Sequence, residues 1–160
     1  MSGVMGDSYP LLFRFDDLVS GNDFVGRVQG NGRALLVNED DGFWVYGVVP
    51  AGCAAGGETV DEALAAFKQT YRSVLLDCAA ATCEPVDFEK EVRAFFTGHA
   101  EFEDEWKAAR EAVRANGAEL PSIRRTTTEF DPWVDVLAMK PTPQVNAERQ
   151  DFMAIYARAA

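Results

Sequence analysis

The stretch Gly42–Asp77, GFWVYGVVPAGCAAGGETVDEALAAFKQTYRSVLLD, constrains this chain more than any other part of it. Phe43 to Val49 is an unbroken run of aromatic, β-branched and small residues. Its length fits a strand, and its lack of clean alternation predicts cover on both faces. Pro50 has no N–H and so ends or edges that strand. Gly52, Gly56 and Gly57 permit turns that other residues resist. Thr59 precedes Glu62 at the spacing of a capping box, and Asp61 and Glu62 fall at the positive end of the helix dipole. Ala63, Leu64, Phe67, Tyr71, Val74 and Leu75 then make one helical stripe, with Lys68, Gln69 and Arg72 off it. The pattern predicts a helix over 60–76, packed on the sheet that holds Phe43 to Val49. Leu64, Phe67, Tyr71 and Leu75 are expected to be buried.

The remaining elements follow from the same rules. Leu11 to Phe15 reads as a first strand. Phe24 to Val28 and Ala34 to Val37 read as two strands joined at Gly30-Asn31-Gly32, because Asn and Gly accept the positive φ of a tight hairpin. Residues 38–42 make the next turn. Beyond Cys83 the period lengthens. Phe88, Val92, Phe95 and Phe96 form a helical stripe between Pro85 and Gly98. Phe102, Trp106, Ala109 and Val113 form a second, ended by Asn116-Gly117. Trp133 to Met139 reads as a late strand, and Val145 to Tyr156 as a terminal helix with Phe152, Ile155 and Tyr156 inward. The fold class expected is therefore α+β: an antiparallel sheet with a packed helix, plus a C-terminal helical elaboration. One domain over 1–160 is expected, with a core over about 11–80 and an extension over about 84–160.

Charge limits the partners. The net charge is −11, carried almost evenly as −6 on the first 80 residues and −5 on the last 80. Binding to nucleic acid depends on neutralising phosphates with Lys and Arg, so DNA binding is not expected. An acidic surface favours a basic protein partner by steering its approach. No stretch approaches the ~20 apolar residues of a membrane span, and the start of the chain lacks the pattern of a secretory signal. Three cysteines, an odd number, suit a reduced compartment, and cytoplasmic localisation is expected.

The segment 34–77 resembles the core of the HicB-like antitoxin family. Proteins of that family show a phrase like F-x-V-x-x-P-x-x-P-G-C followed by G-x-T-x-E-E-A. The corresponding residues here are Phe43, Val45, Pro50, Gly52, Cys53, Gly57, Thr59, Asp61, Glu62, Ala63 and Leu64. Ala51 stands where the family usually has its second proline, and no ribbon-helix-helix or helix-turn-helix segment follows. The resemblance implies a sheet-and-helix fold related to a partial ribonuclease H fold. It also implies an antitoxin-like protein that sequesters a small basic partner such as an RNA-cleaving toxin. Operator binding is not carried over, because the element for it is missing.

Catalytic and cofactor readings find little support in the residues. His99 is the only histidine and follows Gly98 at an expected helix end, where a dipole-favoured surface role is the common one. Cys78 and Cys83 are spaced loosely for zinc, so Cys53, Cys78 and Cys83 read as buried or half-buried thiols. The acidic groups Asp16-Asp17, Asp40-Asp41 and Glu103-Asp104-Glu105 would hold a cation only if the fold converged them. Arg124-Arg125 reads as part of a solvated edge. The glycine clusters lack the strand and helix context of a nucleotide loop. No enzyme activity, cofactor or metal is expected. The alternative is a small enzyme or metal-dependent nuclease relative built on the same kind of sheet. Because one helix covers only one face of a small sheet, the other face is expected to be covered by the C-terminal helices or by a second copy, and a homodimer is expected.

Overall fold

The computed structural model of the chain describes residues 7–97, 102–117, 123 and 133–140. The fold is α+β: a curled antiparallel sheet with helices on both faces. Strands β1 (Ser8–Ser20), β2 (Val25–Glu39), β3 (Gly42–Val49) and β4 (Ala54–Gly57) lie side by side in that order. Helices α1 (Val60–Ala80), α2 (Pro85–Phe96) and α3 (Glu103–Asn116) follow, and β5 (Val134–Met139) returns to the sheet. The long strand β2 has two partners on one side: β3 pairs with residues 33–39 and β5 with residues 25–30. No helix among the described residues is long and apolar enough to cross a membrane.

Gly30-Asn31-Gly32 does not turn the chain. It lies inside β2, opposite Phe15, Arg14 and Phe13 of β1. The reversal comes earlier, where Gly21 N–H donates to the Phe24 carbonyl at 2.9 Å and Asp23 takes φ 61°. The glycines serve packing. Gly26, Gly30 and Gly32 sit on the face that α1 and α2 cover, and each leaves room for a phenyl ring. A Cβ would meet Phe88 at 2.4 Å from Gly26, Phe96 at 3.0 Å from Gly30 and Phe13 at 2.2 Å from Gly32. Three positions without side chains thus let large rings lie close to the strand backbone.

Around those rings sits the larger core. Leu11, Phe15 and Val19 of β1 meet Val28, Ala34 and Leu36 of β2 and Val45 of β3, under Phe67, Tyr71 and Leu75 of α1 and Phe88, Val92 and Phe96 of α2. Tyr71 is its hub, with Phe13, Phe15, Phe95 and Phe96 within 4.4–5.8 Å of its ring centre. The Tyr71 hydroxyl is buried without a hydrogen-bond partner among the described residues, and burial raises its pKa. The capping box forms as expected. Glu62 N–H donates to the Thr59 hydroxyl at 3.2 Å, and Thr59 N–H donates to the Glu62 carboxylate at 3.3 Å. Leu64 and Val74 are only half-buried, while Ala63 and Ala79 are fully covered, so the stripe runs one turn further than predicted.

The residues read as a turn segment after Pro50 include a strand. Gly52 takes φ 77°, Gly47 N–H donates to the Cys53 carbonyl at 2.7 Å, and β4 then pairs with Tyr46 to Phe43. Small side chains hid this strand, since Ala-Ala-Gly-Gly carries little β propensity. Its glycine at 56 lets the Trp44 indole lie against it, where a Cβ would stand 2.8 Å from the ring.

The second face of the sheet is closed in part by α3. Trp106 and Ala109 pack on Leu35 and Val48, with Leu12, Val37, Val49 and Phe102 at the margin. Residues of the C-terminal half therefore cover this face over β1 and β2 and reach β3 at Val48. The expected terminal helix over Val145 to Tyr156 lies outside the described residues.

Candidate functional site

The second face divides into two zones. Over β1 and β2 it is occupied by α3 and by a charged cluster. The Arg33 guanidinium lies 5.0 Å from the centre of the Trp106 ring and donates to Glu103 at 2.6 Å. Arg110 lies over the same ring at 5.4 Å, and the indole N–H of Trp106 donates to the Leu11 carbonyl at 3.3 Å. Cation–ring contact and charge-assisted hydrogen bonding act together here to fasten α3. Asn31, two residues before Arg33 on β2, is buried with its side-chain oxygen unpaired among the described residues.

Over β3 the same face carries an aromatic shelf. Trp44 and Tyr46 alternate with Val45, so both rings project on this side. Their rings stack at 6.2 Å and 20°, and Tyr46 continues to Phe102 at 5.0 Å and 33°. Both side chains are half-buried. The end of β2 and the adjoining β2–β3 turn supply the exposed carboxylates Glu39, Asp40 and Asp41. The Tyr46 hydroxyl donates to Glu39 at 2.6 Å, which fixes that carboxylate at the edge of the rings. Burial, then the hydrogen bond to Glu39 and the fields of Glu39 and Asp41, push the Tyr46 hydroxyl up to about 12. A ring surface rimmed by carboxylates is suited to an organic cation.

That shift gives a measurable result. The folded protein holds its Tyr46 proton above the ordinary tyrosine value of about 10, so between roughly pH 10 and 12 it binds more protons than the unfolded chain. Stability from this group is complete below the unfolded value and is lost as pH rises through the folded one. In an ultraviolet tyrosinate titration, Tyr46→Phe is expected to remove one step near pH 12. Removal of a step near pH 10 instead would contradict the burial of this hydroxyl together with its hydrogen bond to Glu39.

The other chemistry-bearing residues are dispersed. Asp16 takes two hydrogen bonds from Arg27 and one from Gln29, which hold its carboxyl below the usual range. Asp17 projects to the opposite face and meets Arg72 at 3.6 Å. Glu103 is engaged by Arg33 and Lys107. Cys53 is buried and its thiol is pushed up to about 11 by that burial, Cys78 is half-buried, and Cys83 is exposed, against the expectation of cover for it. Among the described residues no group of three or more His, Cys, Asp or Glu side chains is placed to hold a metal ion. His99 and Arg124-Arg125 lie outside the described residues.

The shelf leaves no mark of its own in the sequence. Trp44 and Tyr46 were legible only as strand residues, and their exposure depends on where α3 settles. The turn acids at 39–41 were visible as a turn, but nothing in the spacing joined Glu39 to Tyr46. No protein-family model matches this chain, and no curated protein and no solved structure gives a significant match to it.

Proposed function

We propose that this protein acts by binding a small basic protein, in the manner of a HicB-like antitoxin that sequesters an RNA-cleaving toxin, and turns over no substrate of its own. The observation that carries the reading is the acidic rim of Glu39 and Asp41 beside the Trp44–Tyr46 shelf, with Asp40 exposed on the same turn, in a chain of net charge −11. Such a surface attracts and orients a positively charged partner. The order strand, turn, strand, capped helix over 42–80 is compatible with the HicB-like motif on which the antitoxin class rests. The partial ribonuclease H relationship and a cytoplasmic location belong to the same proposal. So does a homodimer, formed through a sheet edge now that α3 occupies much of the second face.

The test is capture from the native host with the full chain as bait, beside a gel shift on the DNA upstream of its gene. A small basic protein, identified by mass spectrometry and retained at stoichiometric yield, is the expected result. Weak or absent DNA binding is expected alongside it. Tight sequence-specific DNA binding with no protein partner would overturn the proposal.

A further inference from the structure

We propose that the Trp44–Tyr46 shelf is the seat of an arginine side chain presented by the partner. This rests on the binding reading above and names the contact that would carry it. The protein already uses the required chemistry once, on the same face of the sheet. Arg33 lies over Trp106 at 5.0 Å while its guanidinium reaches Glu103 at 2.6 Å. A planar cation is thereby held by a ring beneath it and a carboxylate beside it. The shelf offers the ring and the carboxylates of that arrangement to an outside group. The Trp44 and Tyr46 rings stack 20° from parallel at 6.2 Å, and both residues are only half-buried. Gly56 lets the indole lie low against β4. Glu39 is pinned at the ring edge by the Tyr46 hydroxyl, with Asp41 close enough to raise that hydroxyl's pKa further.

Charge complementarity selects the occupant. Three carboxylates on one turn disfavour an acidic or neutral apolar segment, and a second copy of this chain would bring the same negative charge to the contact. Arginine is preferred over lysine for physical reasons. Its guanidinium is flat enough to stack, loses less hydration on burial than an ammonium, and pairs with a carboxylate through two parallel hydrogen bonds. Lysine meets the same carboxylates as a point charge and gains less from the rings.

The probe is the capped pentapeptide Gly-Gly-Arg-Gly-Gly, compared with its lysine and citrulline counterparts. Each is titrated into the full chain while the indole N–H resonances are followed, with Trp44 assigned from Trp44→Phe. The arginine peptide is expected to move the Trp44 resonance saturably, with an affinity about five-fold tighter than the lysine peptide. The citrulline peptide, which keeps the shape without the charge, is expected to leave it unmoved. Glu39→Gln with Asp41→Asn is expected to weaken the arginine response at least about three-fold, with the Trp106 resonance unchanged as evidence of an intact fold. No saturable response at Trp44, or an equal response to citrulline, would overturn the seat. So would a Trp44 shift that follows protein concentration without peptide, which would assign the shelf to a second copy. If the chain captures a basic protein while Trp44 ignores arginine, the seat falls and the binding reading stands. If capture itself fails, the binding reading falls.

Discussion

Phe88→Ala is expected to destabilise the fold by about 3–5 kcal/mol, the range for deleting a fully buried phenyl ring. Phe88 is completely buried, lies 5.3 Å from the Phe24 ring, and rests against the bare backbone at Gly26. The companion change is Gly26→Ala, which places a methyl 2.4 Å from the Phe88 ring and is expected to cost about 1–3 kcal/mol by overpacking. The two effects should not add. In the Phe88→Ala background the ring is gone, and the methyl enters space that the deletion has opened. The cost of Gly26→Ala is then expected to vanish or reverse, a coupling readable in a double-mutant cycle by urea unfolding. Additive costs would mean that Gly26 serves only backbone conformation, and that the packing role assigned to the β2 glycines is wrong.

Trp106→Ala is expected to cost a similar amount, about 3–5 kcal/mol, through a different route. Trp106 is the main apolar anchor of α3 on the second face, and its ring also carries the contacts of Arg33 and Arg110. Its loss leaves the half-buried, carboxylate-bound Arg33 guanidinium without the ring beneath it. Amide exchange should therefore quicken first in α3, from Glu103 to Asn116, while β1 and β2 keep their protection. The exposed patch at Leu35 and Val48 should promote self-association, detectable by light scattering. Exchange that quickens equally across the sheet would show that α3 and the main core form one cooperative unit.

The capped helix was legible because its information is local. Thr59, Glu62 and the stripe from Ala63 to Leu75 all lie within one element. Helices α2 and α3 were legible for the same reason, with Phe88, Val92 and Trp106 at helical spacing. The late strand was legible as the largely apolar run Trp133 to Met139, although its pairing with the first half of β2 was not. What failed was the meaning of glycine. Gly30-Asn31-Gly32 has the residues of a hairpin turn, yet the turn is made by Gly21 to Phe24. The deciding factor is distant in sequence: Phe96 needs the space at Gly30, and Phe13 needs it at Gly32. Local conformational freedom and tertiary clearance leave the same mark on a sequence. The shelf was hidden for a related reason. Whether Trp44 and Tyr46 are core or surface depends on where α3 sits across the sheet, and no pattern within β3 specifies that.

The functional claim concerns a charge-steered association, and the salt dependence of its rate tests it most directly. The partner recovered by capture is purified and mixed with the full chain in a stopped-flow instrument at low and high ionic strength. Screening contracts from about 10 Å at 0.1 M salt to about 3 Å at 1 M, so steering by Glu39, Asp40, Asp41 and the wider acidic surface is largely removed. The association rate is expected to fall at least about ten-fold over that range, while dissociation changes far less. A rate that does not respond to salt, or a partner that carries no excess of positive charge, would contradict the account.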